Sequence, residues 1–245
     1  MLIFDNLKVN ENAKVQDFVD WEHNGNVIFC SQDIELLPYA IEMTLFDKKT
    51  IIALASNLLD NKDDYTMEFL IKSFEGYPIL IVQGVQLLNK IKGLDKEEYK
   101  KKIYQSTDKI TTNINMVIKE LKPSTVQLLN KIALLNNQSF SKQLLTAITD
   151  NPDTFNDDIY QLSKFMLISN IDSNEDNPVF EMHDIISNKI MELNGDKRNK
   201  IYLENIIIKL PQSNNIHFQY SWMTANTIVE NLTILLNQNL RYVRF

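Results

Sequence analysis

The apolar and polar positions follow a strand period at the start of the chain. Short apolar runs at Leu2–Phe4 and Val27–Cys30 both end in polar residues, as strands of a parallel sheet do at their ligand edge. An amphipathic stretch over Ala13–Glu22 lies between them and predicts a connecting helix. Two strands are too few for a stable sheet, so we expect further strands from an upstream segment or a partner.

After the first 46 residues the apolar spacing becomes that of helices. Gly76 is placed to end one helix and Pro78 to begin the next, which we expect to reach about Ile91. Charges of alternating sign run from Lys90 to Lys109 and predict a solvated helix, with Tyr99–Tyr104 on its exposed face.

A compact unit is predicted between Lys122 and Leu193. Its expected elements are three helices, a hairpin and a last helix, with Ser139 capping the second helix, Asp153 capping the third, and strands at Met166–Ile171 and Val179–Met182. This order is typical of a winged-helix domain. The third helix carries three acidic residues against Lys164 alone, which disfavours contact with DNA phosphates: Asp153, Asp157 and Asp158.

Two further helical runs, Lys197–Leu210 and Met223–Leu236, follow a Gly-Asp break. They predict antiparallel helix pairs of the kind that begin a superhelical, TPR-like repeat region. We expect a protein partner to bind these C-terminal helices.

The composition agrees with a mainly helical chain. Of the 245 residues, 44% are apolar and only five are glycine, which favours helices with short loops over a turn-rich β fold. The net charge of −7 disfavours nucleic acid and anionic membranes as partners. Cys30 is the single cysteine and cannot form an intrachain disulfide, and no apolar run could span a bilayer. We therefore expect a cytoplasmic protein that binds neither nucleic acid nor membrane.

Asp5 is the first candidate for chemistry. It ends the apolar run LIFDN, which has the form of a strand that holds a carboxylate beside Mg²⁺ and nucleotide phosphates. Asp-Asn pairs also end many strands because they start turns, so both interpretations stay open. The G-x-x-x-x-G-K-[ST] loop that cradles phosphates occurs nowhere in the sequence. This chain alone is therefore not expected to hydrolyse ATP.

Three spaced motifs carry a family resemblance: LIFDN at Leu2–Asn6, GYP at Gly76–Pro78 followed by ILIVQG, and FEMHD at Phe180–Asp184. In this order they resemble the Walker B strand, the glycine-x-proline helix and the methionine-histidine-aspartate motif of the STAND or NB-ARC signal-transducing nucleotidases. The resemblance covers about residues 1–195. It implies a mainly α fold with a small α/β part, bound ADP or ATP with Mg²⁺, and a missing N-terminal half of the nucleotidase core as partner.

The resemblance also implies a domain organisation. Residues 1–46 would be the C-terminal part of a P-loop core, with its Walker B and sensor strands. Residues 47–121 would be a helical, ARC1-like subdomain, and residues 122–194 a winged-helix domain with the methionine-histidine-aspartate motif. Residues 195–245 would be the helical region that starts the repeats.

Each matching residue acquires an expected role from the resemblance. Asp5 would be the magnesium-associated catalytic carboxylate, and Pro78, after Gly76, would pack against the adenine. His183 would reach the β-phosphate of ADP and pin the winged helix over the nucleotide. Asp184 would hold the loop around this histidine.

The chain departs from the family at the sensor strand. That strand ends in Ser31-Gln32, both candidate nucleotide contacts, where the family presents an arginine after the serine. An uncharged amide cannot replace a guanidinium as a sensor of charge, and Asn6 removes a candidate base. These departures argue against γ-phosphate sensing and hydrolysis.

Three functions remain open from the sequence. The first is the regulatory part of an ATP/ADP-switched signalling protein in which the winged helix closes over ADP. The second is a non-catalytic helical scaffold with a decayed nucleotide site, and the third, which the acidic helix disfavours, is a transcription regulator. Locally, His183 and Asp184 are also typical of a simple helix cap.

Overall fold

The computed structural model describes residues 2–4, 25–31, 41–91, 94–135, 139–172 and 178–209. The chain divides into two units, residues 1–44 and 45–245. In the first unit, β1 (Leu2–Phe4) and β2 (Val27–Phe29) pair in parallel along their whole length. The predicted parallel strands are thus confirmed, whereas the predicted helix over Ala13–Glu22 lies outside the described residues.

The second unit is mainly helical, as the composition predicts. We call its first five helices the helical bundle: α1 Lys48–Leu58, α2 Asp64–Phe74, α3 Pro78–Lys90, α4 Leu94–Gln105 and α5 Lys109–Glu120. Helix α3 confirms the prediction made from Gly76 and Pro78. Its centre is apolar and packs into the core with residues such as Leu80, Ile81 and Leu88.

Carboxylate caps start three of the bundle helices. Each capping carboxylate accepts a hydrogen bond from the backbone N–H of a threonine three residues later. The pairs are Asp47 with Thr50, Asp63 with Thr66 and Asp108 with Thr111. These bonds satisfy amides that have no partner within the helix. Hydrogen bonds from the threonines also hold the pKa of all three carboxyls below the usual range.

The structure of helices α4 and α5 differs from the solvated helix that the sequence predicts. Tyr99 and Lys100 are buried, so the solvated face predicted over Tyr99–Tyr104 is wrong at both residues. The Tyr99 hydroxyl donates to Asn113 Oδ1 at 2.7 Å, and Asn113 Nδ2 donates to Gln83 Oε1 at 2.9 Å. This chain of bonds joins α4, α5 and α3 inside the core, where burial raises the pKa of Tyr99.

The elements after the bundle run helix, strand, two helices, hairpin and helix. They are α6 Pro123–Ile132, β3 Phe140–Ser141, α7 Lys142–Ile148, a 3-10 turn at Pro152–Thr154, α8 Phe155–Lys164, β4 Ser169–Asp172, β5 Val179–Glu181 and α9 Asp184–Lys209. Strand β5 lies between β3 and β4 and is antiparallel to both. The predicted hairpin is confirmed. We call α6 to β5, with α9 up to Gly195, the hairpin unit.

Two predicted caps in the hairpin unit are wrong. Ser141, not Ser139, caps α7, since its hydroxyl accepts the Leu144 N–H at 3.2 Å. Asp153 lies within the 3-10 turn, and α8 begins after it at Phe155. Strand β3 precedes α7 and the 3-10 turn at Pro152 precedes α8, so both helices begin later in the chain than predicted.

Asp158, one of the three acidic residues of the predicted third helix, is not at the surface of the hairpin unit. The residue is fully buried, and its carboxylate accepts the hydroxyls of Ser124, Thr125 and Thr154. Three donors compensate for the hydration that burial removes. Asp157 stays at the surface, paired with Lys122 at 2.5 Å.

Helix α9 bends at Gly195, whose φ of 68° and ψ of 165° are not helical. We call Asp196–Lys209 the C-terminal arm. A network of polar contacts binds the arm to the hairpin unit. Lys131 Nζ donates to Ile148 O, Asp150 Oδ2 and Asn205 Oδ1, and Lys209 Nζ lies 2.6 Å from Asp150 Oδ1. We call Lys131, Asp150, Asn205 and Lys209 the Lys131 network.

The charges of this network depend on one another. Burial lowers the pKa of Lys131, against the raising effect of Asp150. Partial burial raises the pKa of Asp150, but hydrogen bonds from Lys131 and Lys209 outweigh it, so that pKa lies below its usual value. The carboxylate form of Asp150 is therefore the one that stabilises the fold.

The C-terminal arm confirms the helical run predicted from Lys197, while the run Met223–Leu236 lies outside the described residues. No helix in the described part of the chain is long and apolar enough to cross a membrane.

Asp150→Asn is expected to lower the free energy of unfolding by about 1–3 kcal/mol at pH 7, because Lys131 loses its counter-charge. A carboxyl with a lowered folded-state pKa stabilises above its unfolded pKa, about pH 4, and loses that contribution as pH falls through the folded value. The difference from wild type should therefore shrink between pH 5 and pH 2, about the range in which the carboxyl protonates. Urea unfolding at several pH values measures it.

Asp153→Asn, at an exposed position of the 3-10 turn, is the matched control and should leave stability nearly unchanged. An Asp150→Asn deficit that stays constant with pH would show that the carboxylate charge does not stabilise the network.

Candidate functional site

The GYP segment forms a tight turn between α2 and α3. Glu75 and Gly76 both have positive φ, 51° and 85°, and Pro78 occupies the first turn of α3, where its missing N–H is not needed. The Gly76 carbonyl accepts the Phe46 N–H at 3.0 Å. A Cβ on Gly76 would lie 2.4 Å from the Phe46 carbonyl oxygen, so only glycine fits.

A pocket of about 250 Å³ opens beside this turn. It lies between the end of α2, the start of α3 and the start of α5, with Ser73, Glu75, Tyr77, Thr107, Asp108 and Lys109 among its lining residues. The Ser73 hydroxyl is buried there and has no hydrogen-bond partner in the described part of the chain. Tyr77 offers α3 no side-chain cap, which leaves its first amides for another acceptor.

Two ion pairs border the pocket. Lys109 Nζ lies 2.6 Å from Glu75 Oε1, and Lys189 Nζ of α9 lies 3.3 Å from Asp108 Oδ2. Hydrogen bonds to Glu192 and Asp108 raise the pKa of Lys189. The second pair connects the mouth of the pocket to α9, the helix that begins after His183.

His183 caps the start of α9. Its Nδ1 accepts the Ile185 N–H at 3.2 Å, and its carbonyl accepts the amides of Ile186 and Ser187. The side chain is exposed, as is that of Asp184 in the first turn. Lys189 follows six residues later, about 9 Å along the helix. The cap interpretation is thus confirmed for His183, and the ring remains accessible.

The other predicted site residues are only partly described. Ser31 is exposed after β2, whereas Asp5 and Gln32 lie outside the described residues. No group of three or more His, Cys, Asp or Glu side chains that could hold a metal occurs among the described residues.

A larger pocket, of about 560 Å³, lies away from the predicted site. It is at the far end of α3, about 18 Å along the helix from Pro78, between Asn89, Lys90, Lys122 and Lys164. Its walls carry both charges, because Asp60 and Glu120 face the same space. Of the predicted nucleotide contacts, the four that the structure describes in the second unit do not line it: Gly76, Pro78, His183 and Asp184.

The sequence interpretation missed Ser73, Asp108, Lys109 and Lys189. The spacing of Ile110, Ile114 and Val117 could have revealed α5, and with α5 its cap Asp108. No local signal distinguishes Lys189 or Lys109 from other surface lysines, since their roles depend on tertiary contacts.

Comparison with known proteins adds no relationship: no family model matches the chain, and no curated protein matches it.

Gly76→Ala is expected to lower the free energy of unfolding by about 2–4 kcal/mol, from strain at positive φ and from the displaced Phe46 carbonyl. Denaturant unfolding followed by circular dichroism measures the loss. Gly25→Ala is the control, because its added methyl meets no atom within 4 Å, and it should change stability by less than about 1 kcal/mol. An equal loss of unfolding free energy in both variants would contradict the claim that the turn at Gly76 has no room for a side chain.

Proposed function

We propose that this chain is the regulatory part of an ATP/ADP-switched signalling protein of the STAND or NB-ARC type. The hairpin unit, as its winged helix, closes over ADP that an upstream segment holds by its phosphates. The observation that carries this proposal is the exposed His183 ring at the start of α9, directly after the hairpin.

The cap geometry of His183 favours an interaction with phosphate. Nδ1 accepts an amide hydrogen, so the neutral ring must carry its own proton on Nε2. The exposed ring therefore presents a hydrogen-bond donor. It does so beside a helix N-terminus, where the macrodipole favours negative charge. Both features suit an oxygen of the ADP β-phosphate.

The pocket at the GYP turn supports an incomplete rather than a complete nucleotide site. Its volume of about 250 Å³ is below the roughly 300–1,000 Å³ usual for pockets that enclose a ligand. The Ser73 hydroxyl and the uncapped start of α3 offer polar groups to part of a ligand. The remaining wall and the phosphate cradle would come from the upstream half of the core.

The ion pair between Asp108 and Lys189 offers a route for the switch. Half of the Asp108 side chain is exposed and 26% of the Lys189 side chain, so water compensates for part of the lost pair, and breaking it costs about 1 kcal/mol. In the proposed switch, differential contacts of His183 with ADP and ATP shift α9 relative to the bundle. Asp184 would hold the loop at this hinge.

Hydrolysis is no part of this proposal. Gln32 stands where the family has its charge sensor, and the sequence contains no G-x-x-x-x-G-K-[ST] loop. The protein acts as a switch between nucleotide states, with a cytoplasmic location and a protein partner at its C-terminal helices.

A non-catalytic scaffold is the second candidate. The sequence departure at Gln32 favours it, as does an outward apolar pair on α9, Ile201 and Ile208. In this case the helices bind a partner whether or not nucleotide is present.

His183→Asn separates the two roles of the histidine. Asparagine is a good helix cap, but its shorter side chain cannot place a donor where the imidazole Nε2–H lies, so the variant should keep its fold and lose ADP. We expect ADP retained by the protein with its upstream segment to fall about tenfold or more, the loss of one charge-assisted hydrogen bond. Chromatography of the nucleotide released on denaturation measures retention.

Asn188→Ala, an exposed change on the same helix, is the control and should retain ADP. Asp184→Val should lose ADP by loosening the loop. If the His183→Asn variant retained as much ADP as wild type, His183 would be only a helix cap, and the non-catalytic scaffold would be the favoured function.

A further inference from the structure

The larger pocket, of about 560 Å³, lies where four helices end. The last residues of α1, α3, α5 and α8 line it: Leu58, Lys90, Glu120 and Lys164. We call it the helix-end pocket. Its volume is within the roughly 300–1,000 Å³ usual for sites that enclose a small molecule. Because three of these helices belong to the bundle and α8 to the hairpin unit, a ligand held there would contact both.

Internal hydrogen bonds fix the bundle side of this pocket. The Asn89 side chain donates to Leu58 O at 2.8 Å and accepts the Asp60 N–H at 3.0 Å, which holds the end of α1 against the end of α3. Lys90 Nζ donates to Glu120 O, the carbonyl at the end of α5. These bonds occupy the Asn89 amide and position the neighbouring side chains.

Two charged side chains of opposite sign remain for a ligand. Asp60 on the bundle side and Lys164 on α8 are exposed, and neither side chain has a hydrogen bond or an ion pair within the described part of the chain. Lys122 is already paired with Asp157 at 2.5 Å, and Lys90 with the last residue of α5. The lining therefore presents one carboxylate and one ammonium group that lack a counter-charge.

The ends of α1 and α3 favour a cation beside Asp60. A helix C-terminus carries a partial negative charge, equivalent to about half an elementary charge. Asp60 follows the last residue of α1 by two positions, and its N–H is bonded to Asn89 in the last turn of α3. A ligand ammonium group at this place would meet the carboxylate and two helix ends of the same sign. The Lys164 ammonium, on the other helix pair's side, suits a ligand carboxylate.

An amide side chain accompanies each of these charged positions. Gln86 precedes Asn89 by three residues on α3, and Gln161 precedes Lys164 by three on α8, so each shares a helix face with its neighbour. Both glutamines are half-buried, and neither side chain has a hydrogen-bond partner within the described residues. A primary amide both donates and accepts, which is the complement of a peptide group.

We propose that the helix-end pocket binds a dipeptide with free ends. Its ammonium group pairs with Asp60, its carboxylate pairs with Lys164, and its peptide group bonds to the amides of Gln86 and Gln161. The ligand joins the bundle to α8 of the hairpin unit, so binding stabilises the arrangement of these helices. This binding requires neither nucleotide nor the GYP turn.

NMR titration of the full chain tests the proposal. The probe is dialanine, compared with N-acetyl-dialanine, which lacks the ammonium group, and with dialanine amide, which lacks the carboxylate. We expect saturable binding of dialanine, with about five- to tenfold weaker binding of each blocked form, the loss of one charged hydrogen bond at a partly exposed site. Absence of saturable dialanine binding would overturn the proposal. Equal binding of dialanine and either blocked form would do the same, because the site would then recognise a simple anion or cation.

Two variants assign the ends of the ligand. Asp60→Asn should lose the preference for dialanine over N-acetyl-dialanine, and Lys164→Gln the preference over dialanine amide. Asp153→Asn and Lys101→Gln, at exposed positions outside the pocket, are the matched controls and should keep both preferences. Each comparison is made within one variant, so a general loss of stability cannot imitate the result. Retention of the corresponding wild-type preference in either pocket variant would overturn the proposal.

Discussion

A buried ammonium group, that of Lys131, joins the hairpin unit to the C-terminal arm of α9. Only 1% of the Lys131 side chain is exposed, so protein acceptors must replace water around its charge. Those acceptors are the end of α7, Asp150 and Asn205. The arm supplies one of the three acceptors of this amine, Asn205, and Lys209 of the arm pairs with Asp150, so moving the arm away from α6 would break both contacts. This interaction therefore determines which face of the arm points inward.

The Lys131 network and the Asp108–Lys189 pair connect α9 to different parts of the second unit. In the pair between the bundle and α9, the Lys189 side chain is 26% exposed and the Asp108 side chain 50%, whereas in the network the Lys131 side chain is 1% exposed and that of Asp150 31%. Ile186 and Ile190, near the beginning of α9, are also buried. The proposed switch has the hairpin unit and α9 move together relative to the bundle. In the proposed switch, His183 at one end of α9 senses ADP, and the arm carries the movement toward the C-terminal helices.

The sequence predicted most of the elements that local chemistry decides, although it misplaced the caps of α7 and α8. Gly76 and Pro78 gave the boundary of α3, and the change from helical to alternating spacing gave the hairpin. It failed where tertiary contacts decide. Tyr99 and Asp158 look polar and exposed in sequence, yet Asn113 and three hydroxyls make their burial favourable. In the candidate site, the sequence offers the cap at His183 as one of two interpretations. Tertiary contacts alone bring Lys189 and Ser73 to the site, so no local pattern predicts them.

Nitrogen NMR of the His183 imidazole tests the central claim most directly. In the protein that includes the upstream phosphate-binding segment, the ring nitrogens would be observed with and without ADP. The account predicts that Nδ1 keeps the shift of an amide acceptor in both states, while the Nε2–H resonance moves on ADP binding because it donates to a phosphate oxygen. An Nε2 resonance that is unchanged in the ADP complex would contradict the claim that His183 contacts the nucleotide.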